Sequence, residues 1–256
     1  MSRSSKISLH NICKSFGTKH VLRNISLDIA KGESFVLIGG SGTGKSVLLK
    51  SILGLITPDS GKVLIDGQDT VNLSASQREA LMHKFGMLFQ GGALFDSLPV
   101  WENITFSTRR AQRLSKKQAQ QQAIEKLSQV GLKEDVAFQT PSELSGGMQK
   151  RVSLARAICG DPEIIFFDEP TTGLDPIMSG VINELIIKCC KDIGATAVTI
   201  THDMTSARTI ADRIAMIYSG EILWQGTPED VMTTDHAHVR QFVSGAATGP
   251  ITVGSK

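Results

Sequence analysis

A chain of 256 residues, 41% hydrophobic and 20% charged, can bury a sizeable core as one large α/β domain or two closely joined small ones. Its 27 Lys and Arg against 25 Asp and Glu leave a net charge of +2, which excludes the strong basic bias that nucleic acid binding demands. The longest apolar runs, such as Phe35 to Ile38 and Ile164 to Phe167, are far short of the ~18–20 residues needed to cross a bilayer.

Met1 to Lys6 runs into a polar alternating segment without the apolar core of a signal peptide. This predicts a chain that stays on the cytoplasmic side and reaches a membrane only through a partner. Cys13, Cys159, Cys189 and Cys190 show no Cys-x-x-Cys pairing and no His at metal spacing, so they read as reduced, small apolar residues.

In chain order, Ile7 to Ile12 and Ile25 to Ile29 alternate apolar and polar residues, as half-buried strands do. Phe35 to Ile38 is continuously apolar, as in a strand covered on both faces. A helix pattern follows through Val47, Leu48, Ser51, Ile52 and Leu55. Pro58 to Gly61 and Asp66-Gly67 read as turns around the strand Val63 to Ile65.

From Gly91 to Gly160 the character is helical. Ala119, Ala123, Leu127 and Val130 share one face of a helix over Lys116 to Val130, and Met148, Val152, Ala155 and Ile158 share another. Strands return at Ile164 to Phe167, Ala197 to Thr201, Ile214 to Tyr218 and Glu221 to Trp224, with a helix over Val181 to Lys191. The division is a core over 1–90 and 161–244 with a helical subdomain over about 91–160. The small polar segment Gly245 to Lys256 reads as a mobile tail.

Gly39-Gly40-Ser41-Gly42-Thr43-Gly44-Lys45-Ser46 fits G-x-x-x-x-G-K-[ST] in its required setting, buried strand before and helix after. Glycines let backbone N–H groups turn in around phosphates, and the helix adds its own free N–H groups and positive dipole end. Lys45 suits the β- and γ-phosphates of ATP, and the Ser46 hydroxyl suits Mg²⁺. Ile164 to Phe167 delivers Asp168 and Glu169 to the carboxyl edge of a sheet. Asp168 suits Mg²⁺ through water, and Glu169 is placed as the general base that polarises the attacking water.

Leu144-Ser145-Gly146-Gly147-Met148-Gln149 resembles the LSGGQ signature of ABC transporter ATPases, with Met148 where many members have Gln. Its helix N-terminus offers free N–H groups suited to a γ-phosphate. The resemblance spans nearly the whole chain. It implies a P-loop ATPase core with an antiparallel β subdomain and a helical insertion. It also implies a head-to-tail dimer in which Ser145, Gly146, Gly147, Met148 and Gln149 of one copy act on the nucleotide of the other. By the same resemblance Gln90 is the loop glutamine that contacts Mg²⁺ and water, Asp175 lies at the dimer seam, His202 meets the γ-phosphate, and Phe16 stacks on adenine.

Phe89 to Leu98 with Trp101-Glu102-Asn103, Asp175-Pro176-Ile177, and Val239 to Val243 with Gly249-Pro250 resemble the Mla/Mce phospholipid-transport branch. The apolar cluster Ala93, Leu94, Phe95, Leu98 and Trp101 fits a surface that meets a permease. This branch implies glycerophospholipid cargo moved between inner and outer membranes, which maintains outer-membrane lipid asymmetry. It implies a membrane permease dimer, an MCE-domain lipid-binding protein and a STAS-domain protein as partners, attachment at the cytoplasmic face of the inner membrane, and a tail reaching the neighbouring subunit. The alternatives are an importer of polar amino acids or other small solutes, and a soluble non-transport ABC ATPase.

Overall fold

The computed structural model describes residues 4–252. The chain divides into two compact units, one formed by the residues up to Leu73 and from Ile200 onward, the other by Ser74–Thr199.

The first unit opens with β1 (Ser5–Phe16) and β2 (Lys19–Ala30), joined by a two-residue turn. Both are longer than the alternating stretches predict. Asn11 and Asn24 take φ of 52° and 54°, a conformation Asn tolerates, and the pairing shifts register nearby without ending. The buried strand β3 (Ser34–Ile38) leads through the glycine-rich loop to α1 (Lys45–Ile52). This helix stops short of Leu55, which is left exposed. Strands β4 (Ser60–Ile65) and β5 (Gln68–Asp69) complete an antiparallel sheet in the order β2-β1-β4-β5. Its core face carries Ile7, Leu9, Ile25, Leu27, Val63 and Ile65.

The second unit starts with α2 (Ala75–Met82), capped by Ser74 and Gln77, and β6 (Phe85–Leu88). The helices α3 (Val100–Ile104), α4 (Phe106–Ala111), α5 (Lys116–Gln129) and α6 (Gly146–Ala157) follow. Residues 91–99, expected to be helical, are not. Gly92 and Ala93 take positive φ, Pro99 begins the next helix, and the buried Asn103 amide ties the loop by bonding the backbone of Phe95 and Leu98. Strand β7 (Ile164–Asp168) runs parallel to β6, then α7 (Pro176–Ile193) precedes β8 (Thr196–Thr201). Capping by Asp175 with Pro176 in the first turn starts α7 five residues before the predicted Val181.

The faces read from periodicity are the buried ones. Ala119, Ala123, Leu127 and Val130 pack with Val152, Ala155, Ile158 and Phe167 in one core. Trp101, expected with its neighbours at an interface, lies in this core too. Phe95 and Phe106 remain outside, their rings 4.6 Å apart. Complete burial of Phe166 and Phe167 contributes about 1.5–3 kcal/mol each.

Within β8 the chain returns to the first unit, which adds α8 (Met204–Ile210), β9 (Arg213–Tyr218), β10 (Glu221–Gly226), α9 (Asp230–Thr233) and α10 (Ala237–Ser244). β9 pairs parallel to β3 and antiparallel to β10. Val36, Ile38, Ile210, Ile214, Met216 and Val239 form its core there. The predicted mobile tail instead folds back as far as it is described. Gln241 donates to the carbonyls of Ala246 and Ile251 and accepts from the Ile251 N–H, and Ile251 packs on the core. Residues 253–256 of that tail, like Met1 to Arg3, lie outside the described residues.

Candidate active site

In the first unit, β3 is apolar on both faces and ends at Gly39, where the loop must pass against β9. A Cβ on Gly39 would sit 2.5 Å from the Ile217 carbonyl oxygen, so only glycine fits. Gly44 takes φ of 108°, and a Cβ there would meet the Val21 carbonyl at 2.9 Å. The chain therefore turns into α1 with Gly44 as a cap that brings no side-chain bond to the first-turn N–H groups, which leaves them for an anion.

Lys45 is buried. Its ammonium donates to the carbonyls of Gly39 at 2.7 Å and Gly40 at 2.8 Å. Thr43 braces the same turn through its hydroxyl to the Gly40 carbonyl at 2.9 Å. Ser41, Gly42 and Ser46 face outward. Phe16, at the end of β1, is 50% exposed, with the Lys14 ammonium 5.5 Å from its ring centroid. Lys14 in turn pairs with Asp59, and that hydrogen bond, with the Ser15 N–H, holds the Asp59 carboxyl below its usual value. His202 is exposed just past β8. The next residue, Asp203, caps α8 by accepting from Thr205 N at 2.9 Å.

In the second unit, parallel pairing sets Leu88 opposite Phe167, so Gln90 and Asp168 follow at the carboxyl ends of neighbouring strands. There α/β sheets place their ligands. Asp168 is partly buried. Glu169 is 9% exposed and has φ of 51°, a left-handed conformation that is uncommon for a side-chain-bearing residue. Its carboxylate accepts from the Thr172 hydroxyl at 3.1 Å.

The signature segment forms the start of α6. Ser145 caps it, accepting from Met148 N at 3.3 Å, and Gly146 and Gly147 make its first turn. Met148 packs on the core. The Gln149 amide donates to the carbonyls of Pro141 at 2.9 Å and Leu144 at 3.2 Å. The segment therefore presents a hydroxyl and backbone N–H groups outward, while the Gln149 side chain fixes the turn before it. Asp175 accepts from the N–H groups of Ile177 and Met178 at 2.9 and 3.0 Å, beside the 80% exposed Ile177.

Sequence reasoning missed one charged residue here. Lys150 is buried, and its ammonium donates to the Gln90 carbonyl. Burial pulls that ammonium below the ordinary lysine value, against the opposing pull of the Glu169 and Asp168 carboxylates. Nothing in the run Gln149-Lys150-Arg151 marks it out, since basic residues in a helix usually point to solvent.

For a magnesium ion the donor types fit. Ser46 offers a hydroxyl, Gln90 an amide oxygen and Asp168 a carboxylate, all hard oxygens. Mg²⁺ uses such sparse sets together with water and substrate phosphate. No cluster of three or more His, Cys, Asp or Glu suited to a metal occurs among the described residues, so a cage made only of protein ligands of those types is absent from them.

A family model described as ABC transporter matches residues 22–172. The probable ribonucleotide transport ATP-binding protein mkl of Mycobacterium leprae is 41% identical over 245 residues, covering 96% of this chain and 70% of its own length. The intermembrane phospholipid transport system ATP-binding protein MlaF of Haemophilus influenzae is 38% identical over 245 residues, 96% of this chain and 92% of its own length. Among solved structures, the dimeric post-hydrolysis state of the ATP-binding cassette MJ0796 bound to ADP and Pi is similar. Its TM-score is 0.78 at 33% identity, covering 87% of this chain and 98% of that one.

Proposed function

The chain belongs to the ABC transporter family as an ATP-hydrolysing subunit, and we propose that it powers phospholipid movement between inner and outer membranes. The observation that carries this cargo is the likeness to the intermembrane phospholipid ATP-binding protein, which extends over 92% of that relative.

In this reading the Gly39 to Gly44 amides and the Lys45 ammonium hold the phosphates of ATP. Ser46, Asp168 and Gln90 hold Mg²⁺, which when bound neutralises charge on the phosphate oxygens. Glu169 takes the proton of the attacking water, and the Thr172 hydroxyl keeps its carboxylate aimed. His202 donates to the γ-phosphate, and the exposed Phe16 ring stacks on adenine. A second copy supplies the Ser145 hydroxyl and the Gly146 and Gly147 N–H groups in trans. Met148 and Gln149 hold that turn in shape, and Asp175 lies at the seam between copies. The dimeric form of a solved cassette supports this pairing.

No helix among the described residues is long and apolar enough to cross a membrane. In this reading the chain attaches through a permease dimer at the cytoplasmic face of the inner membrane. The exposed pair Phe95 and Phe106 supplies apolar surface of the kind such contacts use. An MCE-domain lipid-binding protein and a STAS-domain protein complete the assembly.

Purification of the chain from native membranes in detergent tests the proposal. Co-elution of a permease with an MCE-domain protein, and ATP-dependent transfer of labelled glycerophospholipid between vesicles, is the result it requires. Co-elution with a solute-binding protein and uptake of ribonucleotides would refute it. That outcome would favour small-solute transport, the second reading, to which the name of the Mycobacterium leprae relative points.

A further inference from the structure

We infer that Lys150 is a positioning residue for hydrolysis, its buried ammonium holding the Gln90 loop by a backbone carbonyl. The inference rests on the assignment of Gln90, Asp168 and Glu169 above, and it concerns only groups of the second unit.

Three side chains on one face of α6, spaced by three residues, grip the segment that follows β6. Lys150 donates to the Gln90 carbonyl. Ser153 donates to the Gly92 carbonyl at 3.2 Å. Arg156 donates to the carbonyls of Gly92 at 2.6 Å and Ala93 at 2.7 Å. Positions i, i+3 and i+6 lie along one side of a helix, so the segment is laced to α6 rather than loosely looped over it. The residues bound are those where Gly92 and Ala93 take φ of 76° and 49°. That conformation turns their carbonyls toward the helix.

Lys150 differs from the other two in what else it faces. A buried ammonium is costly unless countercharge is near, and here the Glu169 and Asp168 carboxylates supply it. The lacing also links the catalytic strand end to the helix whose first turn is the signature segment, because Lys150 sits one turn into α6.

The test uses the full chain with Lys150→Gln, Lys150→Met and Lys150→Arg, and Glu169→Gln run in parallel. Phosphate release gives kcat and KM for Mg-ATP, and thermal melting reports the fold. The two neutral variants should lose kcat by on the order of 10- to 100-fold, with KM for ATP changed by less than about threefold. Lys150→Arg, which keeps a charge and a donor, should hold kcat within about threefold of the unmodified chain. Full kcat in either neutral variant, or no rescue by arginine, overturns the inference. So does loss of the fold in both neutral variants, which would make Lys150 a structural residue. If Glu169→Gln loses turnover while the neutral Lys150 variants keep it, this inference fails and the site assignment stands. If turnover survives Glu169→Gln, the assignment falls and this inference with it.

Discussion

Replacing Gly39 by alanine isolates one geometric demand of the phosphate loop. The new Cβ would lie 2.5 Å from the Ile217 carbonyl oxygen, whereas a carbon–oxygen contact is comfortable at about 3.3 Å. Ile217 belongs to β9, paired with β10 through Ile222 and flanked by the Ile38–Met216 pair with β3, so the loop must retreat, by about 0.8 Å. The Gly39 carbonyl accepts from the Lys45 ammonium at 2.7 Å. A shift of that size stretches the contact to about 3.5 Å, where a hydrogen bond is lost. The same retreat misaligns the loop amides that this reading aims at phosphate, and a hydrogen bond to a charged group is worth about 1.5–3 kcal/mol, so ATP affinity should fall roughly 10- to 100-fold. Titration with a fluorescent ATP analogue measures it. Gly40→Ala is the control, since its Cβ would meet nothing nearer than Thr43 Cγ2 at 3.7 Å, and its affinity should stay within about twofold. Unchanged binding by Gly39→Ala, or equal losses in the two variants, would refute the steric reasoning.

Glu169→Gln should keep ATP binding and accumulate a dimer while kcat drops by about 10²- to 10⁴-fold; single-turnover phosphate release and size-exclusion chromatography measure this, and near-normal turnover removes Glu169 from the base role. Glu33→Ala should destabilise the first unit by about 2–3 kcal/mol. The Glu33 side chain is 8% exposed and accepts from Arg213 Nε at 2.7 Å and from Ala30 N at 2.6 Å, but Arg213 retains Gln225 and the Asp28 carbonyl. A melting temperature lowered by roughly 5–10 °C checks it, and an unchanged one refutes it. Burial, with Cys189 adding to it, pushes the Cys190 thiol from 9.0 up to about 12. Between those values the unfolded chain binds fewer protons, so this contribution is intact below pH 9 and falls as pH rises, by about 1.4 kcal/mol per pH unit. Denaturant titrations from pH 8 to 10.5 should show a shallower loss for Cys190→Ala, and identical slopes would refute the assignment.

What was legible in the sequence was whatever rests on local chemistry. The glycine-lysine loop between strand and helix, the apolar strand ending at Asp168, and the faces of α5 and α6 are written in spacing, and the structure has these elements where spacing puts them. Short elements were not legible. β6 has only four residues, and α2 buries none of its side chains, so neither leaves a periodic trace. Residues 91–99 misled because apolar composition resembles a helix, while Pro99, the positive φ values and the distant Asn103 amide decide otherwise. Lys150 was invisible because its meaning lies in a carbonyl 60 residues away.

The left-handed backbone of Glu169 carries a consequence for how this chain tolerates change. A glycine at that position would relax a conformation costing about 1–2 kcal/mol in an L-residue, at the loss of the carboxylate. The chain keeps the less comfortable residue, so selection for stability alone would remove the carboxylate proposed as the general base. A library screened only for thermal resistance should therefore enrich glycine at 169 and yield robust, inert protein.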